Sequence, residues 1–405
     1  MSCRLCGSNE LTTALELAAT PPANAFQPTA AAATALARYP VRVNQCARCS
    51  HAQLAHVVDP EVLFGDYVYV SGTSAAYIAH LENFQLSASA MLALDERDLV
   101  VEIGSNDGTL LGFFKAAGQR IVGVDPARAI AASANANGIP TINGFFDLAL
   151  ARDIRAEHGP ARLIAANNVC AHIDDLSGVL EAISALLADD GEFWFEVSYL
   201  RAVMSDTLFD TIYHEHLDYH RLEPLAGFFA RAGFVLWDAE PITTHGGSVR
   251  VRVARAGVRE PSARVASLIG EERAMGLHRL TAWKQLQASI ERAGVALTAA
   301  LDQLESAGLS GAGYGAPAKA TTLMHQFGLS AERLQYIVDD SPWKQGLHTP
   351  GLGIPVVASD HARAHPVDYL LVLAWNFAGP IVANNTWFSK KGGRFVIPLP
   401  ELLVR

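Results

Sequence analysis

The chain has 405 residues, half of them hydrophobic and 18% charged, and its net charge is −10. That length exceeds one ordinary core and that composition excludes a disordered chain, so two or three globular domains are expected. The acidic balance excludes a nucleic-acid partner gripped through a basic surface. The N-terminal Met1-Ser2-Cys3-Arg4-Leu5-Cys6 has no apolar signal core, and no apolar run nears the ~18 residues of a membrane span. A cytoplasmic protein without a membrane partner is the expectation.

Four of the five cysteines form two pairs, Cys3-x-x-Cys6 and Cys46-x-x-Cys49. Four thiolates can close a tetrahedral zinc site and leave no open position, so the metal is expected to be structural. The gap between the pairs is longer than the ~15–20 residues of common zinc ribbons. Free or redox-active cysteines are the alternative. Cys170 stands alone after an apolar run and reads as a buried, inert thiol.

From Tyr67-Val68-Tyr69-Val70-Ser71-Gly72 the pattern turns helical up to about Leu94. Leu99–Ile103, Ile121–Val124, Leu163–Ala166 and Glu192–Val197 then read as buried strands, with helical patterns at Leu110–Ala117 and Ala127–Asn137 between them. This alternation predicts a doubly wound parallel sheet. Ser248–Ala254 reads as a further strand, and one long helical pattern runs from about Pro261 to Leu304. A second α/β unit starts at Leu309-Ser310-Gly311-Ala312-Gly313-Tyr314-Gly315, with strands at Tyr336–Val338 and Tyr369–Leu373.

Val100-Val101-Glu102-Ile103-Gly104-Ser105-Asn106-Asp107-Gly108-Thr109-Leu110 is a strand, a tight turn and a helix start. Glycine at 104 permits close approach of a ligand. Asp125 falls at the end of the next strand, where a carboxylate can accept both ribose hydroxyls of an adenosine ligand. NAD would want Gly-x-Gly-x-x-Gly and a helix N-terminus facing its pyrophosphate. The acidic Gly-Ser-Asn-Asp-Gly loop suits the cationic S-adenosylmethionine (SAM) better; an ordinary strand–helix turn is the bland alternative.

Tyr213-His214-Glu215-His216-Leu217-Asp218-Tyr219-His220 concentrates ionisable groups. In an extended segment His214 and His216 would share a face; in a helical turn Tyr213 and His216 would approach each other. General acid–base machinery, a second metal site and a polar surface stretch are the three readings, and the pattern is not His-Glu-x-x-His. Asn167-Asn168-Val169-Cys170-Ala171-His172 follows the fourth strand, at the sheet end where open α/β sheets place ligands.

With these motifs the chain resembles, over essentially its whole length, the C-methyltransferases of deoxysugar biosynthesis, which act on nucleotide-linked 4-keto sugars. The residues that carry the likeness are the four N-terminal cysteines, Tyr67-x-Tyr69-x-Ser71-Gly72, Glu102–Gly108 and Tyr213–Leu217. His245-Gly246-Gly247-Ser248-Val249-Arg250 and Gly315-Ala316-Pro317-Ala318-Lys319 complete them. The resemblance implies an α/β protein of three domains: a small zinc-binding domain (1–62), a central Rossmann-like SAM methyltransferase domain (63–255) and a C-terminal Rossmann-like α/β domain (256–405) that helps hold the nucleotide sugar. It implies catalytic roles for His216, Tyr213, Glu215 and His172, with His216 the preferred base and Glu215 orienting an imidazole. SAM is expected to meet Tyr67, Ser71, Glu102, Gly104, Ser105, Asn106, Asp107, Gly108, Asp125, Asn168 and Phe145 or Phe146. Substrate contacts are expected from Tyr69, His214, His245, Tyr314 and Lys319, the last facing a diphosphate. The implied reaction is C-methylation beside a ketone through a base-generated enolate, by a monomer or homodimer. A methyltransferase acting on another acidic C–H or a hydroxyl, and a non-catalytic zinc-binding scaffold, are the alternatives.

Overall fold

The structure is a computed structural model, and its described residues are 1–64, 72 and 75–405. Tyr67, Tyr69, Ser71 and the side chain of His245 lie outside them.

Three strands open the chain: β1 (Leu11–Thr20), β2 (Tyr39–Cys46) and β3 (Ala52–Leu54), joined as an antiparallel sheet. Nothing in the sequence announced β1, whose Leu, Ala and Glu favour helix. Pairing with β2 overrides that preference, and Leu15 and Leu17 turn inward while Thr12, Thr13 and Glu16 stay exposed.

The central strands are β4 (Leu99–Ile103), β5 (Arg120–Asp125), β6 (Thr141–Asn143), β7 (Ala161–Asn167) and β8 (Leu187–Ser198). A short β9 (Asp218–Tyr219) leaves this unit and pairs with β3, closing the N-terminal sheet. The edge strands β10 (Phe234–Ile242) and β11 (Ser248–Arg255) complete a seven-stranded sheet in the order β10-β11-β8-β7-β4-β5-β6. From β6 to β8 the pairing is parallel, and β11 and β10 run antiparallel. The order in which strands are added reverses between β4 and β7, which opens a crevice at their carboxyl ends.

The last sheet holds β12 (Gly311–Tyr314), β13 (Ile337–Val338), β14 (Val356–Val357), β15 (Tyr369–Val372), β16 (Arg394–Ile397) and β17 (Leu403–Val404). Its order β14-β13-β12-β15-β16-β17 is parallel up to β16. It is a second Rossmann-like sheet, as expected from the second α/β pattern.

The expected single helix over 261–304 is two helices, Ala263–Ala274 and Leu280–Ser306. Gly276 ends the first at φ 71°, a left-handed conformation that glycine adopts without steric cost. The break lets the second helix bring Trp283, Leu286, Ile290, Leu297, Leu301 and Leu304 into one continuous core that also holds residues of the N-terminal and C-terminal sheets. Fully burying a side chain such as Leu286 or Ile290 contributes about 1.5–3 kcal/mol. The first and last sheets therefore share a core, while the central sheet keeps its own. Among the described residues, no helix is long and apolar enough to cross a membrane.

Candidate active site

The crevice beyond β4 and β7 is lined by Tyr77, Leu81, Glu102, Gly104, Ser105, Asn106, Asp107, Thr109, Leu110 and Asn167. Gly104 has φ 66°, and a Cβ on it would stand 2.4 Å from the Val169 side chain, so only glycine passes here. Asp125 is buried and its two oxygens accept the Asn106 and Ala127 amides, each at 2.8 Å. Those bonds fix the carboxylate and leave a lone pair on each oxygen for a diol. Asp107 accepts the Gly72 amide at 2.9 Å and the Thr109 hydroxyl at 2.7 Å.

Glu102 is buried, and its Oε2 has no hydrogen-bond partner among the described residues. Burial, then the carboxylates of Asp107 and Asp125, push it well above the usual range. Burial likewise raises Asp125. Three acids around one loop, with Glu102 Oε2 unpartnered among the described residues, make a site whose chemistry favours a cation. The amino and sulfonium groups of SAM fit this acidic lining, while a pyrophosphate would be repelled. Asn168, at φ 58°, donates to the Tyr77 hydroxyl at 3.0 Å. Tyr77 and Asn167 went unrecognised in the sequence. A helix tyrosine carries no local signal, but the Asn167-Asn168 pair at a strand end could have exposed the second. Phe145 is half exposed beside β6, whereas Phe146 turns into the core; of the two, only Phe145 faces outward.

Of the two geometries open for 213–216, the turn is the observed one. The His216 amide donates to the Tyr213 carbonyl at 2.9 Å, and the Tyr213 hydroxyl lies 3.2 Å from His216 Nε2. His216 Nδ1 lies 2.7 Å from the Thr211 carbonyl. A carbonyl only accepts, so Nδ1 carries the proton and Nε2 the lone pair. The group that orients this ring is a backbone carbonyl, where the sequence pointed to Glu215. Glu215 instead accepts the Asn24 side-chain amide at 2.8 Å, and Lys344 senses its charge. His172, carried by the turn after β7, stacks on His216 with centroids 5.1 Å apart. Burial, then the neighbouring His216 ring, hold His172 well below the ordinary imidazole range, so it is neutral near pH 7. Its Nε2 is buried without a partner among the described residues.

His214 does not join this group. It is fully buried against Tyr39 and His56 in the N-terminal part, because a turn and not a strand sends it away from His216. Tyr314 is buried at the end of β12. Lys319 is no free surface cation: it is buried, with Nζ 3.5 Å from Asp210 and 4.3 Å above the Trp375 ring. The Ala316 amide of the same loop donates to Asp339 at 2.6 Å.

The four N-terminal cysteines converge with all sulfurs within 4.8 Å of one another. Cys3 and Cys49 are 3.5 Å apart and Cys6 and Cys46 3.6 Å, close to the ~3.8 Å between thiolates on a tetrahedral zinc. The long sequence gap is taken up by the β1–β2 hairpin, which sets Leu11 opposite Cys46. The hydrogen bond from Cys49 holds the Cys3 thiol below the ordinary thiol range, while the same contact pushes Cys49 up. An all-sulfur tetrad fits zinc.

Three family models match in chain order: "Putative zinc binding domain" at residues 3–64, "Methyltransferase domain" at 77–239 and "C-methyltransferase C-terminal domain" at 243–400. The C-methyltransferase NovU of Streptomyces niveus is 37% identical over 400 residues, covering 98% of this chain and 95% of its own. Among solved structures, a SAM-dependent methyltransferase from Clostridium acetobutylicum matches at 14% identity and TM-score 0.36, over 44% of this chain and 92% of that one. Magnesium protoporphyrin IX methyltransferase from Synechocystis with bound SAM matches at 14% and 0.34, over 47% and 87%.

Proposed function

The chain belongs to the C-methyltransferase family, and we propose that its carbon acceptor is a nucleotide-linked 4-keto-deoxysugar, methylated beside the ketone. The enzyme is SAM-dependent, and its N-terminal domain is a zinc-binding one. SAM, when bound, supplies a methyl group activated by the positive sulfur. The remaining work, generating a carbon nucleophile, falls to the chain's own residues.

The observation that carries this reading is the Tyr213–His216 pair with His172 stacked on it. Thr211 keeps the Nδ1 proton of His216 engaged, so Nε2 is the base. The ketone oxygen draws the Tyr213 hydroxyl onto itself and uncovers Nε2 toward the hydrogen on the neighbouring carbon. That proton moves to Nε2, and the C–H electron pair becomes an enolate whose oxygen accepts from the Tyr213 hydroxyl and from His172 in its Nε2–H tautomer. His172 stays neutral throughout, so the imidazolium formed at His216 has no like charge against it. Asp125 holds the ribose of the cofactor, Glu102 and Asp107 its amino-acid end, and Phe145 covers the adenine. Alignment of two bound reactants lowers the barrier by about 7–11 kcal/mol. The zinc takes no part in the chemistry, since four thiolates fill its coordination.

The test needs no methyl transfer. Incubation of the keto sugar in deuterated water with S-adenosylhomocysteine should exchange the α-hydrogen ~10²–10⁴-fold faster than without enzyme, the usual worth of a positioned base. His216→Asn should abolish exchange and methylation while retaining cofactor binding. A His216→Asn enzyme with normal kcat ends the assignment. Exchange at full rate in that variant moves the base to His172 or Tyr213.

A further inference from the structure

The turn that presents the Thr211 carbonyl to His216 is gripped from the C-terminal domain on both sides of that residue. Before it, Asp210 is fully buried and accepts the Trp375 indole N–H at 2.6 Å, with Lys319 Nζ at 3.5 Å. After it, the Ile212 carbonyl accepts the Thr322 hydroxyl at 3.1 Å. Lys319 and Thr322 sit one turn apart on the helix Ala318–Gln326, so one helix face pins both neighbours of Thr211. The adjacent Thr321 donates to Ala23 at 3.1 Å, tying the same helix to the N-terminal part.

We infer that Lys319 and Asp210 are a positioning pair that, with Thr322, holds the Thr211 carbonyl on His216 Nδ1, and that Lys319 does not bind a phosphate. The inference rests on the reading of His216 as the base for its catalytic consequence, but not for its structural content. A phosphate at Lys319 would face the Asp210 carboxylate on the cation it needs, and Asp339 already occupies the Ala316 amide of the loop. A Lys319 turned toward the catalytic segment instead completes a buried pair with the indole as its third member. Burial lowers Lys319 and raises Asp210, each opposed by the other. Removing one partner leaves the other buried alone, whereas removing both leaves no lone charge.

The experiment compares Lys319→Met, Asp210→Asn, their double variant, Lys319→Arg and Thr322→Val. Kinetics with SAM and the keto sugar are read alongside hydrogen exchange of the 208–217 backbone and the proton resonance of His216 Nδ1–H, identified by its loss in His216→Asn. The single charge variants should lower kcat by about 10²-fold, the cost of a small misplacement, with the sugar KM within about twofold. The double variant should recover about tenfold over the worse single, and Lys319→Arg should keep more activity than Lys319→Met. Backbone exchange at 208–217 should rise in the singles and in Thr322→Val, with the His216 Nδ1–H resonance shifted. Thr322→Val alters no charge and keeps the test decisive where the charge variants fold poorly. A tenfold rise in KM with normal kcat in Lys319→Met would show a phosphate ligand and overturn the inference. So would a Thr322→Val protein with unchanged exchange and resonance. If exchange and resonance respond while kcat does not, the positioning pair stands and the assignment of His216 as base fails.

Discussion

Glu102 carries the plainest electrostatic consequence at the scale of a residue. Its carboxyl stands well above the usual range because it is buried beside two other acids. A cation arriving in the crevice lowers that value again, so binding of SAM should expel a proton wherever the free protein holds Glu102 protonated. Calorimetry in buffers of different ionisation enthalpy should show an apparent binding enthalpy that varies with the buffer, and Glu102→Gln should flatten it. An enthalpy independent of buffer in the wild type rules the idea out. Asp125 is fixed by two backbone amides, and on the proposed reading its remaining lone pairs meet a ribose. Asp125→Ala should weaken S-adenosylhomocysteine at least tenfold, or about 1.4 kcal/mol; an unchanged affinity removes the residue from the site.

At the scale of elements, the zinc-binding turns and the turn at 213–216 meet through strand pairing. β3 begins three residues after Cys49 and pairs with β9, which begins two residues after His216. The Leu54 amide also donates to the Leu217 carbonyl at 2.8 Å. Metal binding and folding are coupled in thiolate sites, so loss of zinc should loosen β2, β3 and then β9. One zinc per chain is expected by elemental analysis. Chelation or Cys46→Ser should raise hydrogen exchange over 39–54 and 213–219 and depress kcat, with a smaller effect on S-adenosylhomocysteine affinity. Full activity in metal-free protein contradicts this coupling. The paired cysteines were legible because a short spacing is a local property. The hairpin that unites them was not, since β1 has the composition of a helix and becomes a strand only against β2.

The buried histidines shape the stability of the whole molecule. His214 and His220 are driven down to about 4 by burial, and His172 is also held below its ordinary value. The unfolded chain, with imidazoles near 6.5, binds more protons below that pH than the folded one. The contribution of each neutral histidine is therefore complete above pH ~6.5 and declines as pH falls toward about 4. Buried carboxyls such as Glu102 and Asp210, raised by burial, act in the opposite direction over the same range. A difference measurement separates the two. Between pH 6.5 and 5, the unfolding free energy of His214→Phe should lose less per pH unit than that of the wild type. The limit of the difference is about 1.4 kcal/mol per unit, one proton's worth. Parallel pH profiles would mean that His214 is protonated equally in both states.

The sequence by itself determined the strand Leu99–Ile103, the strand begun at Tyr369, the glycine turn with its acidic partner 21 residues on, the two cysteine pairs and the dense run of ionisable residues at 213–220. Each is written in local periodicity, turn chemistry or short spacing, which act within one element. Tertiary structure alone decided which of these face each other. It turned His214 away from His216, set a backbone carbonyl and not Glu215 behind the imidazole, and gave Lys319 to Asp210 across more than a hundred residues. It also merged the first and last sheets into one core through the helix Leu280–Ser306. Such pairings depend on where separate elements pack. A hydrophobic pattern reports that a face is buried, but not against which partner.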